Sequence, residues 1–270
     1  MGQTTRERTA FGADPGYRSA FHTISSTKLP TIVIAPGAWS LPPFYSQLEE
    51  QFTSKNLKTK IIPHVTTGAE PPNKTLDDDV CNLHNALAEI SDAGEDIILV
   101  AHSYGGLVSS SAVKGLEKHV RQKNGQAGGV VMLVYMAAFV VAQGQSLVST
   151  SGGLMMPWIS SEGSRTFCAL PASEAFHDLS PAEQTRWSSA LTHTCLSVFF
   201  GKATHEPWND LPTAYILCED DTMLPLPVQE YMSSAIGTSR TLRLKASHHP
   251  YLSFPGKVVD YVAELVKEFE

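Results

Sequence analysis

Positive charge is scarce in this chain. Its 270 residues carry 20 Lys and Arg against 27 Asp and Glu, a formal net charge of −7. Nucleic acid and anionic membrane surfaces both require a basic footprint, so neither is expected as a partner. No apolar run approaches the length that spans a bilayer. Cysteine is sparse as well. Cys81, Cys168, Cys195 and Cys218 form no CxxC pair and show no zinc-binding spacing, so neither a metal nor another cofactor is expected. The opening stretch MGQTTRERTAFG has no apolar centre and does not read as a signal peptide. Arg6 stands where a myristoylation motif needs Ser or Thr. These gaps point to a cytoplasmic protein with free thiols, in which the sequon Asn73-Lys74-Thr75 would stay unmodified. Internal repeats and low-complexity tracts are missing too.

What is present is ordinary soluble-domain material, 42% apolar and 17% charged, and long enough for one large α/β domain. Residues 1–28 are polar and without period, and read as a loosely held tail. From Pro30 onward apolar runs alternate with helical patterns. Residues 31–34, 57–62, 96–101, 130–135, 214–218 and 240–244 read as strands. Thr75 caps a helix with Val80, Leu83, Leu87 and Ile90 on one face. Residues 105–120 read as one helix, Pro225 opens another, and Val259, Val262, Leu265, Val266 and Phe269 mark a last one. Such alternation predicts an α/β fold, a mostly parallel central sheet with helices on both faces. Residues 145–210 interrupt it. They show no convincing buried strand and read as a helical cap inserted into a core of residues 29–144 and 211–270.

Directly after residues 96–101 come His102, Ser103, Tyr104, Gly105 and Gly106, a G-x-S-x-G pattern with Ala101 in the first glycine place. Alone, such a serine can simply cap a helix. Its context gives it chemistry. A serine on a tight strand-to-helix turn takes strained backbone angles and needs small neighbours, which Ala101 and Gly105 supply. The turn lifts the hydroxyl above the strand ends and sets it at a helix N-terminus, where peptide dipoles stabilise negative charge. Ser103 is therefore the candidate nucleophile. A tetrahedral intermediate also needs two convergent N–H donors. Tyr104 and Ala38 are the candidates, the latter in the turn Pro36-Gly37-Ala38-Trp39, where Gly37 allows close backbone approach.

A nucleophile elbow calls for an acid after a late strand and a histidine near the end. Glu219, Asp220 and Asp221 compete for the first role. Asp221 is preferred because Pro225, four residues on, starts the next helix, and the other two read as solvated turn residues. For the base, His248 and His249 both follow the last strand, and either could reach Ser103.

Taken in order, these motifs resemble the α/β-hydrolase superfamily over about residues 30–270. Within it, they look most like the small-lid group of plant methylesterases, hydroxynitrile lyases and their microbial relatives. Pro36-Gly37-Ala38-Trp39 is similar to that group's His-Gly-Ala-Trp turn. Residues 215–225 (YILCEDDTMLP) resemble its Tyr-Ile-x-Cys-x-x-Asp-x-x-Ile-Pro stretch, which carries the acid onto Asp221. Residues 247–251 (SHHPY) resemble its Gly-His-Ser-Pro-Phe ending, which carries the base onto His248. His249 stands where plant hydroxynitrile lyases have a lysine, which argues against cyanohydrin cleavage.

The resemblance implies a serine hydrolase with a Ser103–His248–Asp221 triad acting on a small-molecule ester, lactone or thioester. The alternative on the same fold is a lyase, acyl transferase or cyclase of secondary metabolism. Trp39, Met136, Trp158, Phe167, Phe199 and Phe200 are expected to line an apolar pocket. The oligomeric state stays open, a monomer and a homodimer both being compatible with the sequence.

Overall fold

In the computed structural model, which describes residues 28–269, the apolar runs become one sheet. β1 (Thr31–Ala35) is followed by α1 (Ser46–Ser54), β2 (Thr59–Ile61), α2 (Leu76–Asp92), β3 (Asp96–His102), α3 (Gly105–Ala112), α4 (Lys118–Lys123) and β4 (Gly129–Met136). An insertion then carries α5 (Leu147–Thr150), β5 (Ile159–Glu162), β6 (Arg165–Cys168), α6 (Ala172–Ala175), α7 (Pro181–Ala190) and β7 (Thr194–Cys195). The chain returns through β8 (Thr213–Cys218), α8 (Leu226–Ala235), β9 (Thr241–Leu244), α9 (Pro250–Ser253) and α10 (Pro255–Val266).

The six-stranded sheet runs β2-β1-β3-β4-β8-β9, and every neighbouring pair is parallel. Its four inner strands are almost continuously apolar because both faces are covered, while the edge strands β2 and β9 are mixed and only partly buried. Val33, Leu99, Leu133 and Tyr215 pack toward α2, α3 and α8. Ile34, Val100, Val134 and Ile216 pack toward α1 and α10. The order reverses between β1 and β3. In open parallel sheets such a switch point leaves a crevice at the carboxyl ends of the strands. Here the turn after β1 and the serine after β3 meet there.

Two expectations are corrected. Residues 105–120 are not one helix. Gly115 takes a left-handed φ of 81°, and its N–H donates to the buried Glu117 carboxylate at 2.7 Å. That carboxylate also pairs with His205 at 2.7 Å. The chain turns on this contact and re-enters helix only at Lys118. The second correction concerns the insertion, which is not helical alone. β5, β6 and β7 form an antiparallel sheet. The pair Glu162–Arg165 closes a two-residue loop, Gly163-Ser164, with Gly163 at φ 58°. Glycine followed by serine is a hairpin signal, but these strands are short and for the most part only partly buried, so they lack the apolar run that marks a core strand.

The tail expected over residues 1–28 lies outside the described residues except for Lys28. All four cysteines are free. Among the described residues no helix is long and apolar enough to cross a membrane.

Glu95, just before β3, gathers the amino ends of three adjacent strands. Its carboxylate accepts from Lys28 and Lys58, each at 2.8 Å, and from the Thr31 hydroxyl. Hydrogen bonds from Lys28, Lys58 and Thr31 hold its pKa at about 2, below the ordinary 4.5. A carboxylate depressed on folding stabilises the native state above its unfolded pKa, and that stability is lost as pH falls toward the folded value. Urea midpoints should therefore fall between pH 4.5 and about 2, and Glu95→Gln should flatten that fall while lowering the midpoint at neutral pH.

Candidate active site

Ser103 stands at the end of β3 with φ 51°, in the left-handed region that non-glycine residues rarely occupy. The bend is held from both sides. Ser103 N–H donates to the Met136 carbonyl at 3.3 Å, and Phe139 N–H donates to the Ser103 carbonyl at 3.1 Å. The next two glycines are steric requirements. A Cβ on Gly105 would sit 2.4 Å from the Pro36 carbonyl oxygen, and one on Gly106 would sit 2.4 Å from that of Phe139. The start of α3 is thereby pressed against the ends of β1 and β4.

The three late carboxylates separate cleanly. Asp220 is exposed, and Glu219 pairs with Arg243 at 2.9 Å. Asp221 is buried and fully bonded. One of its oxygens accepts the Met223 and Leu224 N–H groups, each at 2.8 Å. The other accepts His248 Nδ1 at 2.7 Å and Gln229 Nε2 at 3.2 Å. Gln229, fully buried on α8, also clamps the Cys218 backbone through both its N–H and its carbonyl. Since a carboxylate only accepts, His248 carries its proton on Nδ1 and presents a lone pair on Nε2. That Nε2 is buried and has no hydrogen-bond partner. Ser103 and His248 line the same small cavity.

His249 contrasts with its neighbour. Its ring stacks on Phe176 at 4.4 Å, and its Nδ1 lies 3.3 Å from the Ala175 carbonyl, with no acid against it. Burial, then the neighbouring His248, push its pKa well down. His102 behaves alike: burial, then His248 and His249, depress it. Its tautomer follows from its partners. The His248 carbonyl can only accept, which puts the ring proton on Nε2 and leaves Nδ1 to accept from the Tyr45 hydroxyl at 2.9 Å, while that hydroxyl accepts from Gly37 N–H at 2.8 Å. His102 Nε2–H then donates to the His248 carbonyl at 2.8 Å. A neutral imidazole thus joins the turn after β1 to the backbone of His248.

That turn has unspent donors. Gly37 N–H goes to Tyr45 and Trp39 N–H to Thr194 at 2.8 Å. Neither Ala38 N–H nor Tyr104 N–H bonds another described residue. The Tyr104 side chain is anchored below, its hydroxyl donating at 2.8 Å to the buried Asp79, which also takes the Thr66 N–H and hydroxyl. Burial, then the Asp79 charge, push the Tyr104 phenol well up, so it stays a donor.

The insertion is latched onto these loops. Trp39 donates its indole N–H to the Thr166 carbonyl at 2.9 Å. Asp178 accepts from Ser247 N–H at 2.8 Å, and His177 donates to the Asp220 carbonyl at 2.8 Å. Of the expected pocket residues, Trp39 lines the cavity at Ser103, and Trp158 lines a neighbouring cavity. The other four line neither and are corrected. Met136 is buried in the core on the α1 and α10 face, because strand alternation turns it away from Tyr135. Phe199 stacks behind Trp39 at 5.9 Å. Phe167 packs on His193. Phe200 is 53% exposed. Aromatic content marked these as apolar without saying which way they face. Tyr45, Asp79 and Gln229 carry no sequence signal, since nothing local distinguishes a buried clamp from a core or surface residue. Among the described residues no three His, Cys, Asp or Glu side chains gather as a metal site.

The profile of the alpha/beta hydrolase family matches residues 32–261. The chain is 29% identical over 245 residues to the alpha/beta hydrolase nvfD of Aspergillus novofumigatus, spanning 88% of this chain and 97% of that one. Polyneuridine aldehyde esterase shares the fold with a TM-score of 0.71 at 19% identity, over 88% of this chain and 99% of that one. Tomato methylketone synthase I, solved with 2-tridecanone, gives 0.69 at 14% identity, over 90% and 100%.

The Tyr45 contacts carry a stability prediction. Tyr45→Phe leaves both Gly37 N–H and His102 Nδ1 buried without partners. A loss of about 1–3 kcal/mol is expected, read as a lower urea midpoint at unchanged slope.

Proposed function

This enzyme belongs to the alpha/beta hydrolase family, and we propose that it is a serine hydrolase cleaving an apolar ester, lactone or thioester through an acyl-enzyme on Ser103. The observation that carries the reading is the buried, unpartnered His248 Nε2, held in the basic tautomer by Asp221 beside a serine on a strained elbow. No hydrogen bond joins Ser103 to His248 here, and catalytic hydrogen bonds often tighten only around substrate.

His248 Nε2 takes the Ser103 proton as the serine oxygen bonds the acyl carbon. Asp221 stabilises the imidazolium without accepting its proton. The oxyanion is received by the Ala38 and Tyr104 N–H groups, which have no other partner to give up. Collapse breaks the bond to the leaving oxygen or sulfur, which takes the proton from His248. Water, deprotonated by His248, then attacks the acyl-enzyme, releasing the acid and restoring Ser103. His102 does no proton transfer in this scheme. Its lone pair and its N–H are both engaged, and its low pKa keeps it neutral beside the cation that forms on His248. The acyl substrate is uncharged near the reacting carbon, since Trp39, Leu191 and Met223 supply much of the cavity wall and no Lys or Arg among the described residues lines it.

A fluorophosphonate should label Ser103 and no other residue, and para-nitrophenyl esters should turn over. Ser103→Ala and His248→Ala should each lower kcat/KM by at least about a thousandfold, and Asp221→Asn by about ten-thousandfold. His249→Ala should keep labelling. An inactive His249→Ala with an active His248→Ala reverses the base assignment. Labelling without ester turnover would replace hydrolysis by non-hydrolytic chemistry, a lyase, transferase or cyclase reaction at the same serine.

A further inference from the structure

The cavity at Ser103 is very small, about 10 Å³. That is roughly the room one water needs, enough for a reacting carbonyl and little else. A second cavity of about 460 Å³ adjoins it. Met223 lines both. The rest of the partition is aromatic. Trp39, on the serine side, meets Trp158, on the far side, edge to face at 5.8 Å. Trp39 is pinned by its indole hydrogen bond to Thr166. Met223 is buried in the core, its backbone N–H binds Asp221, and its thioether is placed by packing alone, with no hydrogen bond to any described residue. An unbranched, flexible side chain is therefore the soft part of an otherwise fixed wall.

The larger cavity is apolar. Phe139, Met156, Trp158, Leu224 and Met232 form much of it, its polar groups are the hydroxyls of Thr150, Ser151, Thr222 and Tyr231, and no charged side chain among the described residues lines it. Its size falls in the range that buries a small organic molecule. A charged group placed against its buried inner wall, at Phe139, Leu224 and Met232, would lose its hydration without a partner. We propose that this cavity is the subsite for the larger apolar portion of the substrate, an uncharged alkyl group, and that Met223 swings aside to let it connect with a carbonyl at Ser103. This rests on Ser103 being the nucleophile.

Binding and turnover test it separately. The Ser103→Ala protein is titrated calorimetrically with octyl acetate, and with an analogue whose far end carries a carboxylate. Octyl acetate should bind saturably, and the carboxylate analogue at least about tenfold more weakly. Val228→Trp fills the cavity from its half-exposed rim, and Ser151→Trp from the exposed side. Either, added to Ser103→Ala, should weaken octyl acetate by at least about tenfold, with unfolding midpoints checked for each. In active enzyme, para-nitrophenyl acyl esters and alkyl acetates of rising length are compared. On the acyl or the alcohol side, kcat/KM should rise with length. Met223→Phe should cut the long-to-short ratio by at least about tenfold, and Met223→Ala should raise it. Octyl acetate binding that ignores both tryptophans, or length profiles that ignore Met223, overturns the subsite. Absence of fluorophosphonate labelling would instead defeat the nucleophile reading, while the calorimetry still judges the cavity.

Discussion

The site depends on one close approach. Gly105 and Gly106 lie so near the carbonyls that end β1 and follow β4 that a single methyl group would collide with them. This contact presses α3 against the sheet and bends Ser103 to φ 51°. It also brings the turn after β1 beside the serine, at the point where strand order reverses. A strained residue persists only where its surroundings over-determine it. The hydrogen bonds from Ser103 to Met136 and from Phe139 to Ser103 supply that constraint.

Around this elbow the two buried carboxylates are fully bonded, whereas His248 Nε2 is buried without a partner. Asp221 accepts four hydrogen bonds and Asp79 three, so each carboxylate is buried with its lone pairs engaged. Three imidazoles lie within 6 Å of one another, His102, His248 and His249. Two of them have depressed pKa values, so the cluster does not accumulate mutually repelling cations. His248 alone faces a carboxylate, which makes it the ring best able to carry a transient positive charge. The turn donors Gly37 and Trp39 are committed to Tyr45 and Thr194, which leaves the amide between them unengaged.

The insertion completes this arrangement rather than merely covering it. Thr166 and Thr194 fix Trp39 over the cavity, and Asp178 and His177 hold the loops that carry His248 and Asp221. A change in how the insertion packs would therefore move the loops of His248 and Asp221 as well as the cavity wall. Trp39 itself has φ 64°, a second left-handed residue stabilised by contacts from outside its own turn.

Much of this was legible in the residues alone. Apolar runs of strand length, separated by amphipathic helices, specify a sheet covered on both faces whatever the loops do, because each apolar stripe must find a partner. Ala101, Gly105 and Gly106 around Ser103 specify the elbow for steric reasons that act over a few residues. Chain order supplied an acid and a histidine, with Asp221 and His248 chosen by motif register. Long-range packing decided the rest. Whether an aromatic such as Phe200 faces solvent or a cavity depends on rotation of a segment against distant chain. Short, half-exposed strands such as β5 acquire their hydrogen bonds only from a partner strand, and leave little apolar pattern behind. Choosing among Glu219, Asp220 and Asp221, or between His248 and His249, on physical grounds required knowing which one loses water and gains the other as partner. That burial is a property of the assembled tertiary fold, not of any local stretch of sequence.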